Sequence, residues 1–266
     1  MKRTLLVTID FPPMFGGVAN YWSNLGKFFP SDDFVVLAPE YNNSLDFDIK
    51  QSYLIYRKNL ISHNKWLWPK WLPLLYHTYK LVRAEKIERI IVAQVLPVGT
   101  VAWIIKKILG IPYIVSIHGL DVQSAKRNKR KNCLMKRVFN SAKKIIANSE
   151  YTRKALLETK ACMYEDTEIV YPCPNINFKE RDEQKIEELK TKYNLHNKKI
   201  ILTLGRLVER KGHDKVIQSL PKVLEKISNC VYIIVGHGPY YKYLRELVDG
   251  LSLQDKVLFF NDLLDS

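Results

Sequence analysis

The amino-acid sequence predicts an α/β protein with parallel sheets in two domains, the second of them incomplete. Apolar runs of strand length alternate along the chain with segments whose apolar residues recur at helical spacing. This alternation is typical of parallel sheets that carry helices on their faces. Residues 199–266 supply only three predicted strands, whereas a doubly wound domain usually has about six. The chain is therefore expected to hold one whole domain and about half of another.

Composition is that of a globular protein. The 266 residues are 47% hydrophobic and 26% charged, and no apolar run reaches the length of a membrane span. The N-terminus leads at once into a strand and lacks the apolar core of a signal peptide, so the chain is expected to be cytoplasmic. Four scattered cysteines without a CxxC pair are expected to be free thiols.

The net charge of +15 is unevenly distributed. Residues 1–178 carry 26 lysines and arginines against 14 acidic residues, and residues 179–266 carry 16 against 13. A basic half suggests a polyanionic partner, which would be a membrane surface, nucleic acid or an anionic substrate. Solubility alone explains the excess equally well.

The first domain, residues 1–175, begins with a buried strand over Thr4–Asp10 and a turn at Gly16-Gly17. Further strands are predicted over 34–37, 89–93, 113–117, 144–147 and 169–172, with a loop and an edge strand over 40–56. Helices are predicted over 18–28, 76–83 and 98–109. A further helix is expected to include residues 136 and 137, and another is expected to begin after a cap at Ser149.

Two positions in this domain suggest a ligand. The paired Gly16 and Gly17 allow positive φ and close approach of the backbone to a phosphate, although a tight turn is the simpler explanation. His118 follows the strand Tyr113–Ile117, at the sheet edge where open α/β folds bind ligands. Its imidazole is the side chain best suited to share a proton near neutral pH.

Two segments suggest a membrane. Lys65–Pro73 holds three tryptophans and two lysines, which suit a bilayer interface or a lipid-linked acceptor, with a buried aromatic cluster as the alternative. The basic run Lys126–Lys131 suits anionic lipid head groups, with a solvated helix face as the alternative.

The second domain, residues 176–266, starts with a charged helix over 178–198 that is expected to pack Ile186, Leu189 and Tyr193 inward. Strands are predicted over 200–204, 231–235 and 256–260, and helices over 212–227 and 240–250. Pro221 is expected to kink the first of these helices or to start a new one.

An anion site is predicted where the apolar run Ile200–Leu204, interpreted as a buried strand, ends at Gly205. Arg206 and Lys211 flank the following loop, and Gly212 opens the next helix. Free backbone amides, the positive helix end and the two cations would all attract a phosphate. The alternative is a solvated loop with two surface charges.

The string Gly205–Asp214 resembles the G-R-L-x-x-x-K-G-x-D segment of retaining glycosyltransferases of family 4, which have the GT-B fold of two Rossmann-like domains. Other segments resemble that family in the same order: Gly16-Gly17 its glycine loop, His118–Asp121 its HG-x-D segment, Asn148–Thr152 its N-S-x-x-T turn and Gly236–Pro239 its G-x-G-P turn. Cys173–Asn177 departs from the family's P-N-G-x-D crossover, and no E-x7-E segment occurs in the family's context.

The resemblance implies a retaining transferase that moves a sugar from a nucleotide-diphosphate sugar to a lipid-linked or surface polysaccharide acceptor. It implies no metal and no cofactor beyond the sugar nucleotide, and no nucleic acid is expected as a partner. The tryptophan-rich and basic segments themselves favour peripheral contact with the inner face of an anionic membrane. By residue, it assigns catalysis to His118, Arg206 and Lys211, the donor diphosphate to Gly16, Gly17, Arg206 and Lys211, the nucleotide to Gly205, Gly236, His237 and Gly238, and the acceptor to Asp121 and Asn148.

Three other interpretations remain open from the sequence. One is a basic α/β module that binds membranes or nucleic acid and has a decayed donor site. Another is a nucleotide-sugar epimerase of the same architecture, against which the HG-x-D and G-R-x4-K-G strings argue. A Rossmann dehydrogenase is disfavoured because the chain lacks a G-x-G-x-x-G fingerprint.

Overall fold

A computed structural model describes residues 2–14, 16–120, 122–123, 128–173 and 182–260. The chain divides into two compact units, Met1–Asn177 and Phe178–Ser266. Across the described residues, no helix combines the length and the apolar character needed to cross a membrane.

The first unit is built on a seven-stranded sheet in which every neighbouring pair is parallel. Its strands are β1 Thr4–Val7, β2 Phe34–Pro39, β3 Leu54–Lys58, β4 Arg89–Val92, β5 Tyr113–Ile117, β6 Lys144–Ala147 and β7 Thr167–Ile169. The order β3-β2-β1-β4-β5-β6-β7 reverses direction between β1 and β4. In open α/β sheets, ligands bind beyond the carboxyl ends of the strands at such a reversal.

Helices cover both faces of this sheet. They are α1 Gly17–Gly26, α2 Ser44–Asp48, α3 Leu72–Ala84, α4 Thr100–Leu109, α5 Lys129–Ser141 and α6 Glu150–Leu157. Along β1, Leu5 and Val7 belong to one apolar cluster, whereas Leu6 belongs to a second cluster on the opposite face. Successive strand residues point to opposite faces, so the fully buried β1 lies in the middle of a three-layer core.

Helix ends follow the local sequence. The Ser149 hydroxyl accepts the Thr152 N–H at 3.2 Å and caps α6, as predicted. Gly110 ends α4 with φ 73°, in the left-handed region that favours glycine, which confirms the predicted stop. A kinked segment over Val95–Gly99, in which Leu96 is extended with φ −131° and ψ 136°, precedes α4, so the predicted helix over 98–109 begins later than expected.

The second unit has a three-stranded parallel sheet in the order β10-β9-β8. Its elements are α7 Glu183–Lys192, β8 Lys199–Leu204, α8 His213–Lys226, β9 Cys230–Val235, α9 Tyr241–Gly250 and β10 Val257–Phe260. The central strand β9 is buried along its whole length. Helix α8 continues through Pro221, so no new helix starts there.

The prediction that β8 is a buried strand is wrong. Leu202 and Leu204 are 63% and 70% exposed, because β8 is an edge strand of this sheet and its outward-facing side chains have no cover among the described residues. The expectation that Leu189 of α7 packs inward is also wrong, since this side chain is exposed, whereas Tyr193 packs beside the smaller apolar cluster of the unit.

Several strand bounds differ from the predicted ones. Strand β1 ends at Val7 and not at Asp10, and β7 covers Thr167–Ile169, slightly before the predicted 169–172. The edge strand predicted within 40–56 exists as β3, displaced to Leu54–Lys58. All four cysteines are free, as expected.

The tryptophan-rich segment does not form a buried aromatic cluster. Trp66 and Trp68 are 95% and 83% exposed, and Trp71 alone of the three packs against the core of the first unit. Residues 126 and 127 of the basic run lie outside the described residues, and the run continues into α5, where Lys129, Arg130 and Lys131 are exposed.

Candidate functional site

The loop between β8 and α8 carries the two cations singled out by the sequence. It leaves the sheet at Gly205, forms a short 3₁₀ turn over Glu209–Lys211 and enters α8 through Gly212, which adopts φ 72°. Helix α8 has no side-chain cap at its N-terminus, so its first amide groups remain available to an acceptor. We call residues 205–212 the donor loop.

Backbone hydrogen bonds join the donor loop to the turn after β9. Leu207 N–H donates to the His237 carbonyl at 2.8 Å, and Tyr240 N–H donates to the Leu207 carbonyl at 3.1 Å. Gly205 N–H donates to the Val235 carbonyl at 2.9 Å. The structure therefore brings together two segments that the family resemblance assigned to the same sugar nucleotide.

Glycine is required at this junction by the protein's own backbone. A Cβ on Gly236 would lie 2.1 Å from the Gly205 carbonyl oxygen, and one on Gly238 would lie 2.1 Å from the Leu207 carbonyl oxygen. Real Cβ atoms do not approach backbone that closely. The family resemblance assigned these glycines to the nucleotide, whereas the structure shows close approach of the neighbouring loop.

The side chains of Arg206 and Lys211 are exposed, and in the described part of the chain no carboxylate lies within ion-pair distance of either. A cation without a partner carboxylate keeps its full attraction for an added anion. Arg206 offers a planar fork for phosphate oxygens, and Lys211 offers a mobile point charge. Two unpaired cations and open helix amides at the carboxyl edge of the sheet are chemically suited to an anion.

Sequence reasoning missed a buried chain of hydrogen bonds beneath this loop. His213, 1% exposed, places Nε2 3.4 Å from the Arg206 carbonyl oxygen and Nδ1 3.4 Å from the Tyr232 hydroxyl. The Tyr232 hydroxyl lies 2.9 Å from the Thr203 hydroxyl. A carbonyl only accepts, so Nε2 donates in the contact with Arg206. The chain thereby ties the backbone of Arg206 to two strands of the sheet.

The next residue, Asp214, is also buried, in the first turn of α8. Its Oδ1 has no hydrogen-bond partner among the described residues, and its Oδ2 lies 3.4 Å from the ammonium of Lys215. A carboxylate is stabilised at a helix N-terminus by the helix dipole. Asp214 therefore adds a buried carboxyl group to the first turn of the helix that follows the donor loop.

In the first unit, Gly16 and Gly17 begin α1 but show no positive φ. Gly16 has φ 178°, an extended conformation that any residue adopts, and a Cβ on either glycine would meet nothing within 4 Å. The structure therefore does not use the positive φ that these glycines allow. Helix α1 lacks a side-chain cap, so its first amides are also open.

His118 follows β5 and contacts α1. Its ring meets the ring of Tyr21 edge to face, with 5.1 Å between centroids, and its Nε2 lies 3.2 Å from the Ser116 hydroxyl. Burial lowers the pKa of His118 to about 4. The imidazole is therefore neutral at physiological pH, where it can donate or accept a hydrogen bond but does not titrate as the sequence suggested.

Asn148 follows the neighbouring strand β6 and donates its backbone N–H to the Ile117 carbonyl at 3.3 Å. A Cβ on Gly119 would lie 3.4 Å from the Thr152 hydroxyl. The structure therefore brings His118 and Asn148 together at the carboxyl edge of β5 and β6. Asp121, assigned to the acceptor by resemblance, lies outside the described residues.

A second residue missed by sequence reasoning, Gln94, ties β4 to the segment that follows β1. Its side-chain oxygen accepts the Ile9 N–H at 3.2 Å, and its side-chain nitrogen donates to the Thr8 hydroxyl at 3.1 Å and to the Asp10 carboxylate at 3.2 Å. Gln94 lies at the chain reversal between β1 and β4, where it fixes the approach to Gly16. No periodicity or motif distinguishes this glutamine in the sequence.

The chemistry available differs between the two units. The second unit offers a cationic loop and open helix amides, which suit a diphosphate. The first unit offers a neutral imidazole and an asparagine, which suit hydroxyl groups, and open backbone amides, which suit phosphate oxygens. Among the residues described, no group of three or more His, Cys, Asp and Glu side chains could hold a metal ion.

Comparisons with known proteins cover nearly the whole chain. Residues 15–177 match Glycosyltransferase Family 4, and residues 185–265 match Glycosyl transferases group 1. A GDP-mannose-dependent α-(1-6)-phosphatidylinositol monomannoside mannosyltransferase of Mycolicibacterium smegmatis is 25% identical over 264 residues, which are 96% of this chain and 66% of that protein. A GDP-mannose-dependent monoacylated α-(1-6)-phosphatidylinositol monomannoside mannosyltransferase of Corynebacterium glutamicum is 24% identical over 97% of this chain and 67% of its own length.

Solved structures show the same fold. Anabaena HepE in complex with UDP and glucose superposes with a TM-score of 0.81 at 18% identity, covering 98% of this chain and 69% of that one. The chain thus spans about two thirds of the length of the proteins that it matches. Its two parallel sheets are those of the GT-B fold, and the chain belongs to glycosyltransferase family 4.

Proposed function

We propose that this protein is a retaining glycosyltransferase that moves a sugar from a nucleotide-diphosphate sugar to a glycolipid or surface polysaccharide. One observation carries the proposal. Arg206 and Lys211 stand exposed and without carboxylate partners on a loop whose backbone is fixed against the Gly236–Gly238 turn, within the described second unit. Membership of the family supports the reaction class.

The donor loop would hold the leaving group. As the anomeric C–O bond breaks, negative charge builds on the diphosphate, and preorganised cations stabilise that charge without having to reorient. Arg206 and Lys211 are the proposed cations, and the first amides of α8 add backbone donors. His213 acts through Arg206, because its hydrogen bond holds the Arg206 carbonyl in place.

The first unit would hold the reacting sugar and the acceptor. We assign the backbone amides at Gly16 and Gly17 to oxygen atoms of the diphosphate, because an uncapped helix begins there. Neutral His118 would orient a sugar hydroxyl through a hydrogen bond, with Tyr21 fixing its ring plane. Asn148 is placed beside it and is assigned to the acceptor.

The proposed acceptor class rests on relatives. The mycobacterial and corynebacterial proteins act, by name, on phosphatidylinositol mannosides with GDP-mannose as donor. HepE was solved with UDP. We therefore propose a sugar nucleotide as donor and a membrane glycolipid as acceptor, reached at the inner face of the membrane. Retention of configuration is proposed from the family resemblance and would be read from the anomeric signals of the product by NMR.

The first test is nucleotide binding by the chain as it stands. Titration calorimetry with GDP and UDP is expected to show binding of at least one of them, with much weaker binding of the monophosphates. Arg206→Ala or Lys211→Ala removes a charge-assisted hydrogen bond worth roughly 1.5–3 kcal/mol, so diphosphate affinity should fall about 10- to 100-fold.

Arg210→Ala is the matched control, because Arg210 is an exposed cation of the same loop to which we assign no phosphate. Equal losses in all three variants would show only a general charge effect and would contradict the assignment. Absence of any nucleotide binding, together with salt-dependent binding to anionic vesicles, would instead favour a membrane-binding module with a decayed donor site.

A further inference from the structure

A closed loop of the first unit presents two tryptophans to solvent. We call residues 62–71 the tryptophan loop. Ser62 N–H donates to the Lys70 carbonyl at 2.8 Å and closes the loop at its base, and the Asn64 side-chain oxygen accepts the Trp66 N–H at 3.0 Å. The loop is anchored where Trp71 packs against the core. Its exposed side chains are therefore held on an ordered backbone.

Exposure of these tryptophans has no explanation within the unit. Trp66 is 95% exposed and Trp68 is 83% exposed. Large aromatic side chains are normally buried, and an indole with an apolar body and one N–H group is well suited to the boundary between lipid tails and water. A pair of them on an ordered loop indicates an external apolar surface.

The charge around the loop indicates an anionic surface. Residues 49–84 contain seven lysines and arginines and no aspartate or glutamate. Lys65 and Lys70 lie in the loop itself and are exposed. Burial first, and then the charges of Lys58 and Lys80, lower the pKa of His77 on α3, so both lysines act on this side chain. Cations flanking interfacial aromatics favour anionic lipid over zwitterionic lipid.

A pocket of about 490 Å³ adjoins the loop. It lies beyond the carboxyl ends of β1, β2 and β3, because its lining comes from the residues that directly follow these strands. Its polar lining residues are Glu40, Tyr41, Lys58, Asn59 and His63. A carboxylate and an amide suit sugar hydroxyls, whereas an ammonium suits a phosphate. His63 also belongs to the tryptophan loop, so pocket and loop form one continuous feature.

We propose that the tryptophan loop docks into the interface of an anionic membrane and that the adjoining pocket receives the hydroxylated, phosphate-bearing head group of a lipid in that membrane. Trp66 and Trp68 reach into the interface, while Lys65 and Lys70 contact lipid phosphates. The head group enters the pocket with its phosphate toward Lys58 and its hydroxyls toward Glu40. This inference rests on the proposed function for the identity of that lipid as the acceptor, but docking is tested without it.

The test of docking uses vesicles and a matched pair of variants. Vesicles of phosphatidylcholine with phosphatidylglycerol, some carrying brominated tails, are mixed with the whole chain, and binding and tryptophan quenching are measured. The wild type should bind, be quenched, and lose affinity steeply with added salt. Lys65→Glu with Trp66→Ala should weaken binding by at least roughly tenfold, since one lysine alone is worth about fivefold.

The control is Lys27→Glu with Phe28→Ala. This exposed Lys–aromatic pair follows α1 and precedes β2, so it lies at the amino edge of the same sheet. The two double variants change charge equally and remove one exposed aromatic side chain each. Equal loss of vesicle affinity in both, or wild-type binding without quenching of tryptophan fluorescence, would overturn the docking assignment.

The test of the pocket compares lipid head groups of equal charge. Vesicles with phosphatidylinositol should bind several-fold more tightly than vesicles with phosphatidylglycerol, because only inositol offers ring hydroxyls. Asn59→Leu should abolish this preference and leave binding to phosphatidylglycerol unchanged. Equal binding to both lipids by the wild type, or binding of free inositol phosphate with no binding to vesicles, would overturn the head-group assignment.

Nucleotide titration separates this inference from the proposed function. The loop double variant should bind nucleotide diphosphate as the wild type does, because its substitutions lie in the other unit from the donor loop. Vesicle docking without nucleotide binding would leave the inference standing and remove the proposed function. Nucleotide binding without vesicle docking would leave the proposed function standing and remove the docking inference.

Discussion

Replacing Gly238 by alanine tests whether backbone contact between the donor loop and the following turn creates the anion site. The new Cβ would lie 2.1 Å from the Leu207 carbonyl oxygen and 2.7 Å from the Leu207 nitrogen. Neither atom belongs to a flexible side chain, so the two segments must separate. We therefore expect the variant to fold with a displaced donor loop or to lose the stability of the second unit.

The magnitude follows from the bonds at the junction. Separation breaks the hydrogen bond from Leu207 N–H to the His237 carbonyl, 2.8 Å long, and the one from Tyr240 N–H to the Leu207 carbonyl, 3.1 Å long. Each is worth about 1 kcal/mol net. With the strain of an overpacked contact, about 1–3 kcal/mol, the second unit should lose roughly 3–5 kcal/mol.

Gly250→Ala is the matched control. Gly250 ends α9, has no positive φ, and a Cβ there would meet nothing within 4 Å. Alanine should be neutral or stabilise the helix by up to about 1 kcal/mol. Urea unfolding and diphosphate titration would be measured for both variants. If Gly238→Ala matched Gly250→Ala in unfolding midpoint and in nucleotide affinity, the contact would not be what holds the donor loop.

Three further predictions concern single side chains. Burial lowers the pKa of His118 from 6.5 to about 4, so between these pH values the unfolded state binds a proton that the folded state does not. The free energy of unfolding should therefore be about 2 kcal/mol lower at pH 5 than at pH 7, and His118→Gln should abolish this difference. His213→Phe should weaken diphosphate binding several-fold in the wild type but not in the Arg206→Ala background, because His213 acts through Arg206; additive losses would contradict this. Ser149→Ala should cost about 1 kcal/mol of stability through loss of the α6 cap, whereas Ser149→Asp should retain most of it.

Local periodicity was sufficient to predict most of the elements. Strands β5 and β6 match their predicted bounds. Each of these two apolar runs is bounded by residues that terminate the element before it or begin the element after it. The carboxyl-edge positions of His118 and Gly205 followed from strand ends alone. Burial of β8 could not be predicted in this way, since an apolar run reads the same whether one face or both faces are covered. Coverage depends on which other segments pack there, and that information is not local.

The candidate site was predicted as positions but not as contacts. The sequence placed Arg206 and Gly238 in one site through resemblance, yet only the structure shows that the backbones of the two segments touch. The buried link from His213 to Tyr232 spans 19 residues and crosses from helix to strand, so no spacing rule detects it. Burial that lowers the pKa of His118 likewise arises from α1, nearly a hundred residues earlier in the chain.

The glycines of the two units carry different information about activity. At 236 and 238, any side chain would collide with the chain's own main chain, so glycine is needed for folding whether or not a substrate ever binds. At 16 and 17, a methyl group would meet open space, so nothing in the fold itself demands glycine. A relative that had lost transferase chemistry could therefore accept side chains at 16 and 17 while still keeping glycine at 236 and 238. Inspection of the first pair would be the more informative way to tell working enzymes from degenerate copies.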